Sequence, residues 1–197
     1  MTLRNLIAAA KEMLDDARKD WFYERTNTHI ELVRKYLAKI LDADLSEVDP
    51  DLLKAEFAHD QGKFEDPELE PYVHITWKYR MQDMGKQYEP PAGIDEQMHA
   101  ATFHHIKNNK HHPEYWDKNV TTDALSSSDR DNPGKQMVDA TAMPPTYVAS
   151  MVADWLAMSE EKGTNARQWA DKNINVRWKF TPEQSQLIYK IINTLQE

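Results

Sequence analysis

Cysteine is absent from the 197 residues. Disulfides, thiolate catalysis and cysteine-based zinc sites are therefore excluded. Only five glycines occur, which argues against a turn-rich all-β fold. Basic residues are the minority: 24 Lys and Arg face 33 Asp and Glu, a formal net charge of -9. General nucleic-acid binding needs a basic footprint and is disfavoured; a local basic pocket for a small anion is compatible with this balance. No run approaches the roughly 18 apolar residues that a membrane span requires. The opening segment, MTLRNLIAAAKEMLDDARKD, turns charged too early for a secretory signal peptide. The expectation is a soluble, cytoplasmic protein without a membrane anchor.

What is present reads as helix. Leu3, Leu6, Ile7, Ala10 and Leu14 fall at helical spacing, with charges on the other face. A separate helix is predicted from about Thr28 to Leu41, with Ile30, Val33, Leu37 and Ile40 on one side. A short helix from about Asp51 carries Leu52, Leu53 and Phe57 and leads to the pair His59-Asp60. Further helices are predicted over 72–84 and from an Asp95 cap through Met98 and His105, the latter stopping before Pro113. Thr146 is expected to cap a helix through Tyr147, Met151, Trp155 and Met158. Thr181-Pro182-Glu183 opens a last one, with a cap followed by proline at the first position. Residues 121–145 form the longest irregular stretch, a lid or a surface loop. The class is all-α, expected as a single domain over 1–197 with 1–27 as a helical N-terminal extension.

The eight histidines are unevenly placed. His104, His105, His111 and His112 crowd into FHHIKNNKHHPEYW, and the rest are His29, His59, His74 and His99. Imidazole is the commonest side-chain metal ligand, and carboxylate is its usual partner for borderline divalent ions. His29 shares a stripe with Val33, Leu37 and Ile40, and Asp154 shares one with Tyr147, Met151 and Met158. An unpaired carboxylate on an apolar stripe would cost several kcal/mol or lose its charge. His59-Asp60 closes a helix whose other inward residues are apolar. Metal binding would satisfy all of these groups together. Within the cluster, helical spacing favours His105 with His112, and His104 with His111 has the same spacing. His74 and His99 read as ordinary surface or core histidines, and Glu160-Glu161-Lys162 as a solvated helix end.

The order His29, His59-Asp60, Asp154 resembles the HD-domain superfamily of metal-dependent phosphohydrolases, helical bundles named for the adjacent His-Asp pair. The string HDQGK is similar to the HDxGK string of HD-GYP-type phosphodiesterases, which implies Lys63 as a phosphate contact. HHIKNNKHHPEYW, with the later MVADWLAMSE and QLIYKIINTL, looks like a family of HD-like proteins catalogued only as a domain of unknown function; that likeness covers about 29 to 195. The resemblance implies an HD-domain-like helical bundle holding one or two divalent ions (Mn, Fe, Mg, Co or Ni). Its ligands would be His29, His59, Asp60, His105, His112 and Asp154, with Asp60 as the bridge. His104 and His111 would serve catalysis or substrate, and Asn108, Asn109 and Glu114 would orient the ligating rings. A metal-activated water would attack phosphorus in a small phosphorylated or nucleotide-like substrate. Two other functions share this pattern: a di-iron oxygenase acting on a small molecule with O₂, and a non-catalytic metal- or nucleotide-binding module. The acidic charge and the aromatics allow a homodimer.

Overall fold

The structure, a computed structural model, describes residues 3–125 and 132–196. Residues 126–131 of the expected 121–145 loop lie outside the described residues. The fold is all-α, with eight α-helices and two two-residue strands among the described residues. None of these helices is long and apolar enough to cross a membrane.

Helix α1 spans Leu3–Asp42 without a break, about 60 Å at 1.5 Å per residue. Two separate helices were expected here. The segment between them contains neither glycine nor proline, the residues that would interrupt a helix. Buried Phe22 and Thr26 carry the inward stripe across it to Ile30 at four-residue steps. Leu6, Met13 and Leu14, nearer the start of α1, are exposed.

Contacts cluster into two compact units, one built from 1–28 and 61–102 and the other from 29–60 and 103–197. In the first unit, α3 (Leu69–Asp83) and most of α4 (Ile94–Asn108) supply the helices besides α1. Its core is Phe22, Tyr72, Val73 and Ala101, with Phe64, Leu69 and Ile75 packed against it. The Arg80 guanidinium lies 4.2 Å from the Trp21 ring centre and 4.9 Å from that of Trp77.

The second unit contains α2 (Pro50–Ala55), the end of α4, α5 (Pro113–Trp116), α6 (Pro145–Lys162), α7 (Ala166–Asn173) and α8 (Pro182–Leu195). Asp49 caps α2 by accepting from the amides of Asp51 and Leu52, which satisfies two of the unpaired donors of the first turn. Helix α6 is buried on nearly every face; Ala149, Val152, Ala153 and Ala157 have no exposed surface. A helix apolar all round belongs in a core. Its start differs from expectation: Pro144, not Thr146, is the cap, and Thr146 is buried with its hydroxyl accepting from the Asp49 amide at 2.9 Å. At the other end Gly163 closes α6 with φ of 62°, a left-handed position that glycine adopts at little cost. Thr181 and Gln184 form a reciprocal capping box at the start of α8.

The irregular stretch contributes strand β1 (Val138–Asp139), which pairs in parallel with β2 (Trp178–Lys179). Gln184 pins the segment after β1 by donating to the carbonyls of Ala140 and Met143 at 3.1 and 2.7 Å. Neither the strand pair nor α7 was anticipated, because elements this short carry no clear period.

Ile188 of α8 is fully buried in the layer that packs α8 on α6. Ile188→Ala should lower stability by about 2–5 kcal/mol, seen as a fall in the urea midpoint with an unchanged slope.

Candidate metal centre

Seven side chains with metal-ligating chemistry converge inside the second unit. His29 comes from the middle of α1 and is 2% exposed. A short 3₁₀ turn, Glu56–Ala58, follows α2 and delivers His59-Asp60. His59 is extended, with φ of -45° and ψ of 134°, and Asp60 is left-handed, with φ of 59°. Successive helical side chains diverge around the axis; here the extended-then-left-handed step lets both enter the same interior, Nε2 of His59 lying 3.5 Å from Oδ2 of Asp60. A non-glycine residue at positive φ is uncommon and is held there by its surroundings. His105 sits in the last turn of α4, His111 in the turn after it, and His112 caps α5. Asp154 comes from the middle of α6.

The two oxygens of Asp60 face different partners. Oδ2 lies 3.9 Å from Nε2 of His29 and 3.5 Å from Nε2 of His59. Oδ1 lies 3.1 Å from Nε2 of His105 and 3.6 Å from Nε2 of His111. Asp154 joins the first side, its Oδ1 being 3.0 Å from Nε2 of His29 and 3.8 Å from Nε2 of His59. Three overlapping triads have donor atoms all within 4.8 Å of one another: His29, His59 and Asp154; His59, Asp60 and His111; His105, His111 and His112. Buried His and Asp groups of this kind could hold a metal ion.

The charge states suit that chemistry. Burial pushes the His111 and His112 imidazoles well down, and the neighbouring histidines add to it; neutral imidazole is the form that ligates. Burial would raise the Asp154 carboxyl, but the hydrogen bond from His29 overrides it and holds the group far below the usual carboxylate range. His29 moves the opposite way: burial lowers it, and bonds to Asp154 and Glu161 leave it raised. An ionised Asp154 beside the neutral rings of His111 and His112 makes this part of the interior favourable to a cation.

The expected residues fall differently. His29, His59, Asp60, His105 and Asp154 come together, and partly buried His112 lies against His105 and His111, ring centres 4.9 and 4.3 Å apart. His111, assigned to catalysis or substrate by resemblance, faces Asp60 directly. His105 and His112 do meet, but not through helical spacing, because α4 ends at Asn108 and residues 109–112 leave helical geometry. His104 is exposed, about 100° around the helix from His105, and belongs to none of the triads. Asn108 donates to the His104 carbonyl at 2.7 Å rather than to a ring. Asn109 does reach one: its Nδ2 lies 3.1 Å from Nδ1 of His105. Glu114 is buried, and its carboxylate accepts from the Trp178 indole at 2.7 Å rather than orienting a histidine. Lys63 belongs to the other unit, with Nζ 5.0 Å from the Tyr72 ring centre. His74 bonds Tyr88 and Glu70, and His99 is exposed.

Two carboxylates went unnoticed in the sequence. Glu56 accepts from the Ser150 hydroxyl at 2.9 Å and lies 4.0 Å from Nδ1 of His111. Glu161 lies 3.5 Å from Nδ1 of His29. The segment Glu160-Glu161-Lys162 is the exposed end of α6, as expected, yet its acids also have partners: Glu160 accepts from Lys35 and from the Tyr36 hydroxyl, both at 2.7 Å. The spacing from Asp154 to Glu161, two turns on one face, was the available signal.

Glu114 gives a pH prediction. Burial raises its carboxyl, only partly opposed by the Trp178 bond. Its folded form therefore holds a proton that the unfolded chain has already released. Stability from this residue is full below the unfolded glutamate range and is lost as pH rises through the folded value. Glu114→Gln removes that loss, so its melting temperature should gain on wild type as pH rises from about 4 toward 7.

No curated protein and no solved structure gives a significant match. One family model does match, over residues 18–194, and its description is a family of unknown function. The matched segment contains both sides of the Asp60 cluster, and the chain belongs to this family, DUF5662.

Proposed function

We propose that this protein is a metal-dependent hydrolase of phosphate esters or anhydrides in small, nucleotide-like substrates, with an HD-type centre of two divalent ions. One observation carries the reading: the two oxygens of a single buried carboxylate, Asp60, address two separate groups of histidines. His29, His59 and Asp154 would hold one ion with Asp60, and His105, His111 and His112 the other. The ions would supply a water acidic enough to lose a proton near neutral pH and would offset charge on phosphoryl oxygens. Asp60 would hold both ions in register, and its left-handed backbone keeps the carboxylate aimed between the histidines. Glu56, raised by burial, is the carboxylate beside His111 that would exchange a proton at the edge of the centre.

The donor set narrows the metal. Imidazoles outnumber carboxylates, which suits iron, cobalt, nickel or manganese better than magnesium, an ion that prefers all-oxygen sites. The same nitrogen-rich set favours a second reading, oxidation of a small molecule by O₂ at two irons.

Elemental analysis of the protein as purified should find one to two divalent transition ions per chain. Asp60→Asn should lose bound metal, and release of phosphate from a panel of nucleotides and phosphate esters should fall by more than the roughly 100-fold cost of losing an outer partner. Metal-free protein and phosphate release unaffected by Asp60→Asn would refute the reading. Two irons with O₂ uptake and no phosphate release would transfer support to the oxygenase.

A further inference from the structure

His29 is flanked at both ring nitrogens by acids of one helix, at hydrogen-bond distance on the Nε2 side and at ion-pair distance on the Nδ1 side. Nε2 faces Oδ1 of Asp154 at 3.0 Å, and Nδ1 faces Oε2 of Glu161 at 3.5 Å. The two acids lie seven residues apart on α6, two turns along one face. The His29 side chain is 3% exposed and that of Glu161 21%, so the outer carboxylate sits at the boundary between the cluster and solvent. Two other inward-facing rings have outer partners of different kinds. The Asn109 amide faces Nδ1 of His105 at 3.1 Å, and Nδ1 of His111 has Glu56 at 4.0 Å. Among the contacts of this type between a carboxylate and a ring Nδ1, that of Glu161 is the closer.

A histidine that ligates through Nε2 must carry its proton on Nδ1, and an acceptor at Nδ1 fixes that tautomer and makes the ring a better donor. We propose that Glu161 is a positioning residue for the metal centre. It accepts the Nδ1 proton of His29 and so keeps Nε2 available on the Asp154 side. The proposal rests on the metal-centre reading and adds a role for a carboxylate outside the ligand set. Glu160 provides an internal control. It is adjacent on α6 but binds Lys35 and Tyr36 instead of a cluster histidine.

The test is titration of the metal-free full-length protein with Co²⁺, followed by visible absorption and by competition with a chelator, alongside thermal melting of each metal-free variant. Glu161→Ala should weaken cobalt binding roughly 10–100-fold and change the absorption spectrum. Glu160→Ala should leave both unchanged. Glu161→Gln should bind within a few-fold of wild type, since the amide oxygen can still accept the Nδ1 proton. The melting temperature of metal-free Glu161→Ala should match that of wild type. Wild-type affinity in Glu161→Ala, an equal loss in Glu160→Ala, or a Gln variant as weak as Ala would each overturn the assignment while leaving the metal centre standing. A wild-type protein that binds no cobalt would overturn the centre itself, and the role of Glu161 with it.

Discussion

A carboxylate that is 2% exposed has to be compensated, because an uncompensated buried charge costs several kcal/mol. Asp60 meets that requirement with imidazoles from three separate stretches of chain: α1, the turn that contains Asp60 itself, and the region where α4 ends. Each of those stretches must therefore pass the same point. The left-handed backbone at Asp60 follows from this constraint. It is the local distortion that allows His59 and Asp60, adjacent in the chain, to enter one interior together.

Helix α6 frames the other side. Its buried small residues let neighbouring elements approach closely, and its polar residues are placed with little redundancy. Ser150 donates to Glu56, Asp154 accepts from His29, Glu160 holds α1 at Lys35 and Tyr36, and Glu161 faces His29. A single rigid helix thus sets the depth of His29 and supports the turn that leads to His59. The turn after α4 is shaped separately. The helix ends at Asn108, its side chain covering the His104 carbonyl, and Pro113 starts α5 directly after His112. Between these two stops the chain has only four residues, and two of them are histidines.

Much of the site was legible from local pattern. His29 and Asp154 stood out because each interrupts an apolar stripe, and a polar group at such a position calls for a partner. The crowding of His104, His105, His111 and His112 identified the region that completes the cluster. Pattern failed where the backbone left regular geometry. Helical spacing paired His105 with His112, and the two do meet, but the helix stops between them, so His111 also turns toward Asp60. Asn108 and Glu114 were given outer roles that their actual partners, a helix-end carbonyl and an indole, rule out. The same limit affected α1, where two helical stripes were read as two helices although nothing between them breaks the chain.

The sequence by itself determined the all-α class, the principal helices and the residue types that gather near His59-Asp60, because hydrophobic period, caps and residue chemistry are local properties. Only the tertiary structure decided which histidines meet which oxygen of Asp60, and that Glu56 and Glu161 stand behind two of the rings. Those relations join residues up to 132 positions apart, His29 and Glu161 being the widest pair. Their distances depend on where a helix ends and how two helices pack, which no single stretch of chain encodes.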